Sequence, residues 1–188
     1  MTKFLAGFVA AIIVFAAAVL AVVYAGFYNV AATRDDTIIE SWVLNAAMVN
    51  SVKACAEPII PPTGFNDEEH IHQGFHLFDE MCVQCHGAPG KKRGEVGFGL
   101  RPRPPSLSEA VRRWNTAQLF WILKHGIRAT GMPAFGETHS EAQLWSLVAF
   151  VQKMPNISPD EYTAPGHDTG PQDHGHEHQH DSEHQHNH

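Results

Sequence analysis

Apolar residues run from Phe4 to Tyr28, "FLAGFVAAIIVFAAAVLAVVYAGFY", 25 positions without a charge. A helix of that length reaches across a hydrocarbon core of about 30 Å with some tilt. The apolar core of a secretory signal is shorter, about 7–15 residues. Val30-Ala31-Ala32 offers small residues for cleavage, but the length predicts an uncleaved anchor over residues 1–32. Phe27 and Tyr28 then stand at the far interface. Lys3 precedes the span, whereas Arg34 after it is offset by Asp35 and Asp36. That asymmetry predicts a cytoplasmic N-terminus with the bulk of the chain outside.

The pattern then becomes helical. Ile38, Ile39, Trp42, Ala46, Val49 and Val52 recur near a 3.6-residue period between Thr37 and Glu57. Asp36 is the expected N-cap, and Pro58 ends the helix. "IIPPTG" at 59–64 reads as a stiff linker, so residues 33–65 form an amphipathic helix and linker. Its apolar side packs on the globular domain, on the bilayer surface or on a membrane partner.

Residues 66–155 carry three further helix signals. Asn66 with Glu69 forms a candidate capping box before Ile71, Phe75 and Phe78. Asn115 or Thr116 caps a helix with Leu119, Phe120, Ile122 and Leu123, closed by Gly126. Ser140 with Gln143 caps a third, with Leu144, Leu147, Val148 and Val151 on one stripe and Pro155 beyond its end. No alternating strand of useful length appears. The expected fold class is all-α: an N-terminal transmembrane helix, a helical domain with long irregular loops, and a tail.

Charge changes the picture at the C-terminal end. The formal net charge is -7, and residues 156–188 contain no Lys or Arg, so the excess belongs to them. The remainder is balanced, which gives no sign of nucleic-acid binding. Residues 167–188, "HDTGPQDHGHEHQHDSEHQHNH", lack apolar side chains, and the segment 156–188 is expected to be a disordered His-rich tail. His174, His176, His178, His180, His184, His186 and His188 alternate there with carboxylates and amides. That composition suits Cu(II), Ni(II) or Zn(II), with affinity falling as imidazoles protonate.

There are 3 cysteines, Cys55, Cys82 and Cys85, too few for a disulfide scaffold or a zinc site built of cysteines alone. Cys55 reads as a half-buried free thiol or an interchain partner. "MCVQCHGAPG" at 81–90 places two thiols three apart with a histidine next. A redox dithiol wants a strand before it, and a zinc knuckle wants a second ligand pair; neither is present. Cys-x-x-Cys-His is the haem attachment signature. Thiols one helical turn apart reach two vinyl groups on one porphyrin edge, and His86 supplies an imidazole to iron. In "GIRATGMPAF" at 126–135, Met132 sits between Gly131 and Pro133 on irregular backbone, the place for a thioether ligand rather than a core gap-filler. His125 is expected at a helix C-terminus instead. His72 and His76, four apart with Asp79 following, are expected on a solvated face.

These residues resemble class I c-type cytochromes, and in particular membrane-anchored monohaem bacterial ones. The resemblance rests on Gly74 and Phe78, "CVQCHG" at 82–87, "PPSL" at 104–107, "GMPAF" at 131–135 and Trp145, and covers residues 66–155. It implies one covalent haem c held by Cys82 and Cys85, with His86 and Met132 as axial ligands. It implies that the first and last helices of the domain cross at Gly74, near Phe78 and Trp145. It also implies a proline carbonyl, of Pro104 or Pro105, bonded to His86 Nδ1. Haem attachment in this family places the domain in the periplasm, on a single-pass anchor in the bacterial cytoplasmic membrane. The activity implied is one-electron transfer with an oxidase, reductase or dehydrogenase, without catalysis. Lys91, Lys92, Arg93, Arg101, Arg103, Arg112 and Arg113 form either a solvated surface or a docking rim. Two alternatives stand beside the carrier. One is a copper- or metal-handling protein using the tail; the other is a haem sensor or peroxidase with an exchangeable sixth ligand.

Overall fold

A computed structural model describes residues 1–164. Its helices are α1 (Thr2–Tyr24), α2 (Ile38–Ala56), α3 (Glu68–Met81), α4 (Val83–His86), α5 (Glu95–Gly99), α6 (Leu107–Arg113), α7 (Thr116–His125), α8 (Glu141–Lys153) and α9 (Pro159–Thr163). No strand occurs among the described residues, and the all-α expectation holds. α1 has 23 residues and none is buried. At 1.5 Å per residue it measures about 34 Å, enough for a hydrocarbon core. Among the described residues it is the one helix long and apolar enough to cross a membrane, and it is compatible with a single-pass anchor.

Capping sets where the helices begin. Asn115 and Ser140 cap α7 and α8, each with a reciprocal glutamine three residues on. The other two N-caps lie one residue later than the sequence suggests. α2 is capped by Thr37, not Asp36, because Glu40 stands three residues after Thr37 and closes the box. α3 is capped by Asp67, whose carboxylate accepts from the His70 N–H at 3.0 Å; Asn66 plays no part. Gly126 ends α7 at φ +64°.

The connection between α1 and α2 is folded back on itself. Arg34 Nη2 lies 2.7 Å from Glu40 Oε1, Arg34 Nε donates to the Asn29 carbonyl at 3.0 Å, and the guanidinium stands 5.3 Å over the Tyr28 ring. The Thr37 N–H and the Arg34 guanidinium hold the Glu40 carboxyl down to about 2. The start of α2 is thereby tied to Tyr28, just beyond the end of α1.

The core is built on α8. Leu144, Leu147 and Val148 are wholly buried, with Phe150 and Trp145 beside them. Trp145 stacks on Phe120 at 4.0 Å and meets Phe65 at 5.4 Å. α3 crosses α8 at Gly74: a Cβ there would lie 2.6 Å from the Ser146 carbonyl carbon and closer still to its oxygen. Phe78 packs beside the crossing, 5.2 Å from Phe150. The second half of α2 joins the same core through Val52 and Ala56, and Arg113 donates to Asn45 at 2.6 Å.

Packing continues past the expected boundary at residue 155. α9 follows, and Tyr162 is 2% exposed, so residues 156–164 belong to the packed domain rather than to a disordered tail. The cause is a long-range bond: the Tyr162 hydroxyl donates to Asp79 Oδ1 at 2.7 Å. Lys91 Nζ donates to the same oxygen at 2.9 Å and lies 5.0 Å over the Tyr162 ring. Burial alone would raise the Asp79 carboxyl, but the Tyr162 hydroxyl and the Lys91 ammonium outweigh it and hold it below its ordinary value. A depressed carboxyl stabilises the fold above its unfolded value of about 4, and that contribution is lost as the pH falls through the folded value. Tyr162→Phe should cost about 1 kcal/mol at neutral pH, the exposure of Asp79 moderating the charged bond. Chemical unfolding at neutral pH and at pH about 3 should show the gap between the two proteins narrowing in acid.

Candidate functional site

α3 delivers the Cys-x-x-Cys-His motif. The Cys82 N–H bonds back to the Phe78 carbonyl at 2.9 Å, and the N–H groups of Cys85 and His86 both reach the Cys82 carbonyl, at 3.1 and 2.9 Å. The motif is therefore a tight helical turn in which side chains three apart share a side. Gly87, at φ +71°, ends it; a Cβ there would stand 2.8 Å from the Lys91 carbonyl oxygen. The loop that follows closes on the motif. Gly94 donates to the Gln84 carbonyl at 2.9 Å, and a Cβ on Gly97 would meet the Cys85 carbonyl oxygen at 2.6 Å. Gly94 and Gly97 escaped the sequence reading, although the glycines of "RGEVGFG" at 93–99 were a visible signal of close backbone approach.

Both thiols are free. Cys82 is 6% exposed, and burial, with the neighbouring Cys85, pushes its thiol up to about 12. Cys85 is half-buried. His86 Nδ1 lies 2.8 Å from the Pro105 carbonyl oxygen, which decides between the two prolines. That bond makes Nδ1–H the donor and leaves the lone pair on Nε2; among the described residues Nε2 has no hydrogen-bond partner. Burial lowers the His86 imidazole, the Pro105 bond opposes this, and the Arg93 charge adds to the lowering. The lowering favours the neutral ring, the form that a metal ligand takes.

Met132 lies on a loop closed by its own hydrogen bonds. The Ile127 N–H donates to the Met132 carbonyl at 3.2 Å. The Thr130 hydroxyl donates to the Ile127 carbonyl at 2.7 Å and accepts from the Met132 N–H at 3.1 Å. Gly126 permits the turn, since a Cβ there would lie 2.7 Å from the Met132 carbonyl oxygen. The Met132 side chain is half-buried against the core. The segment from Leu100 to Pro105 links the two halves of the site. Leu100 lies against Gly131, and Pro105 holds His86; fully extended, that segment spans at most about 18 Å.

Other candidates separate from this centre. His125 is exposed at the end of α7, 5.1 Å from the Trp121 ring. His76 is not solvated as expected: it is half-buried, and its Nε2 is buried without a hydrogen-bond partner. His72 stands 4.6 Å from it, ring to ring. No group of three or more metal-ligating side chains occurs among the described residues. The tail histidines, His174 to His188, lie outside the described residues. Of the basic residues after the motif, Lys91 is tied to Asp79, Arg113 to Asn45 and Arg101 to the Phe98 and Leu100 carbonyls.

A family model described as cytochrome c oxidase, cbb3-type, subunit III matches residues 69–151, from the first turn of α3 to the last turn of α8. Residues 69–151 are a c-type cytochrome domain. Its function is haem-based electron transfer, and such domains generally serve as electron carriers rather than enzymes. The cofactor this cytochrome domain implies is haem c, and its partners are redox proteins. The side chains present fit that cofactor. Two unpaired thiols share one side of a turn, and a neutral imidazole beside them has its tautomer set by Pro105. A thioether sits on a hydrogen-bonded loop that the 100–105 segment joins to the motif.

Proposed function

We propose that this chain is a membrane-anchored monohaem electron carrier of the periplasm. Cys82 and Cys85 hold the haem as thioethers, each thiol adding across one vinyl group. His86 Nε2 and Met132 Sδ would be the protein's ligands to its iron. When bound, haem c supplies a one-electron ferric–ferrous couple. The observation that carries the proposal is the His86 Nδ1 bond to Pro105, 2.8 Å long, since it presents Nε2 as the sole free ring nitrogen beside both thiols. The Met132 loop supports a fixed sixth ligand, because Thr130 holds the Met132 N–H. A soft sulfur ligand favours the reduced form and raises the potential. Two side-chain ligands would leave the iron no place for a substrate.

α1 anchors the domain in the bacterial cytoplasmic membrane, and the charge asymmetry around it supports a periplasmic domain. The carrier then stays close to membrane-bound redox partners. Among an oxidase, a reductase and a dehydrogenase, the family description, which names an oxidase subunit, favours an oxidase. The tail histidines add a site for Cu(II), Ni(II) or Zn(II), proposed on their alternation with carboxylates.

Absorption spectra of the haem-loaded protein, with Met132→Ala beside it, test the ligand set. Wild type should show a low-spin haem with a sulfur-to-iron band and should not bind carbon monoxide. Met132→Ala should lose the band, bind carbon monoxide and fall in potential by on the order of 100 mV. Ready carbon monoxide binding by wild type would transfer the protein to the sensor or peroxidase class.

A further inference from the structure

The first turns of α2 present an apolar face that the protein leaves uncovered. Ile38 is 89% exposed, Ile39 74%, Trp42 70% and Val43 47%. At 100° per residue these four share one side of the helix, and Glu40 and Ser41 fall on the other. Farther along this side stand Ala46 and Val49, both half-buried and Val49 packed against the core, with the exposed Asn50 beside them, so the uncovered apolar stretch is confined to the first two turns. The second half of α2 turns the same side to the core, Val52 and Ala56 falling within about 40° of Ile38 around the helix, so the exposed residues are the part of this stripe that overhangs the domain.

The position of this face identifies what covers it. Tyr28, Arg34 and Glu40 join the start of α2 to the residues that follow α1. The only carboxylate in the first two turns, Glu40, is already paired, so nothing charged on the apolar face opposes burial. Tryptophan is the side chain most at home at the boundary between headgroups and acyl chains.

We propose that Ile38, Ile39, Trp42 and Val43 dock into the lipid interface of the bilayer that α1 spans. The inference rests on the single-pass anchor proposed above. α2 then acts as a bracket, its N-terminal end dipping into the membrane and its C-terminal half fastened to the cytochrome domain. Between Ile38 and Val52 the helix rises about 21 Å. The domain is held in one orientation over the membrane instead of swinging on a tether, which restricts the side from which a redox partner can approach.

The test uses the full haem-loaded chain in vesicles of phosphatidylcholine and phosphatidylglycerol, doped with a phospholipid carrying an acyl-chain diazirine. After illumination, lipid adducts should map to residues 2–24 and also to 38–43, and not to 52–56. Adducts at 2–24 alone would overturn the docking and leave the anchor intact; none at 2–24 would remove the anchor itself. In the same vesicles, on a Cys55→Ser background, a charged maleimide should label Ile39→Cys at least about tenfold more slowly than Ser51→Cys. Equal rates would overturn the proposal. So would slow labelling without lipid adducts, which would mean that a protein, such as a second copy of this chain, covers the face.

Discussion

Gly74→Ala should lower the melting temperature of the haem-loaded protein by at least about 10 °C, since each kcal/mol shifts a domain of this size by about 4–8 °C. The reason is the contact at the α3–α8 crossing. The added methyl would lie 2.8 Å from Phe150 Cβ, 2.6 Å from the Ser146 carbonyl carbon and nearer still to its oxygen. The obstacle is backbone, so no rotamer change relieves it. α8 cannot retreat freely either, because Leu144, Leu147 and Val148 behind it are wholly buried. Overpacking commonly costs about 1–3 kcal/mol, and a clash with backbone belongs at or above the top of that range. A domain stable by about 5–15 kcal/mol would lose a large share of its margin. Ser146→Ala should not rescue the variant, because the hydroxyl, bonded to Gln73 and to the Ala142 carbonyl, is not what the methyl meets. Thermal unfolding followed by far-ultraviolet dichroism and by the haem absorption provides the measurement. A melting temperature equal to wild type would mean that the helices sit farther apart than the structure places them.

Cys82→Ser with Cys85→Ser should abolish covalent haem. After denaturing electrophoresis, the haem stain on the polypeptide should fall to background, and acid–acetone should extract the pigment. Either single variant keeps one thioether and should retain stain. The two single variants should differ in stability. Cys82 is 6% exposed, and its replacement puts a polar hydroxyl into the core in place of sulfur, at a cost of about 1–3 kcal/mol. Cys85 is half-buried, so its hydroxyl can reach water and the cost is smaller. Equal unfolding midpoints for Cys82→Ser and Cys85→Ser would contradict the burial difference. Retained stain in the double variant would remove both cysteines from the proposed attachment.

Several parts of this protein were readable from local pattern. α1 follows from an unbroken apolar run. α7 and α8 follow from 3.6-residue stripes bounded by capping boxes at Asn115 and Ser140. The Cys-x-x-Cys-His turn is a local motif whose spacing carries its chemistry. Each of these depends on residues within a turn or two of one another, the range over which sequence patterns operate.

Features that depend on distant neighbours were out of reach. Asn66 and Asp67 are both good caps only three or four residues from His70, and the backbone path decides which side-chain oxygen accepts from the His70 N–H, that of Asp67. α9 is five residues long, and its start, a capping box of Ser158 with Glu161 after which Pro159 opens the helix, is local; its burial is not, because Tyr162 meets Asp79, 83 residues earlier. Pro104 and Pro105 are equivalent as letters, and only the path of the 100–105 segment brings the Pro105 carbonyl to His86. The amphipathic pattern of α2 was visible, but its division was not. Tertiary packing buries Val52 and Ala56 and leaves Ile38, Ile39 and Trp42 outside. Helix type, caps and the attachment motif are short-range properties and reside in the sequence. The partner of each buried face and polar atom is set by chain segments that only folding brings together.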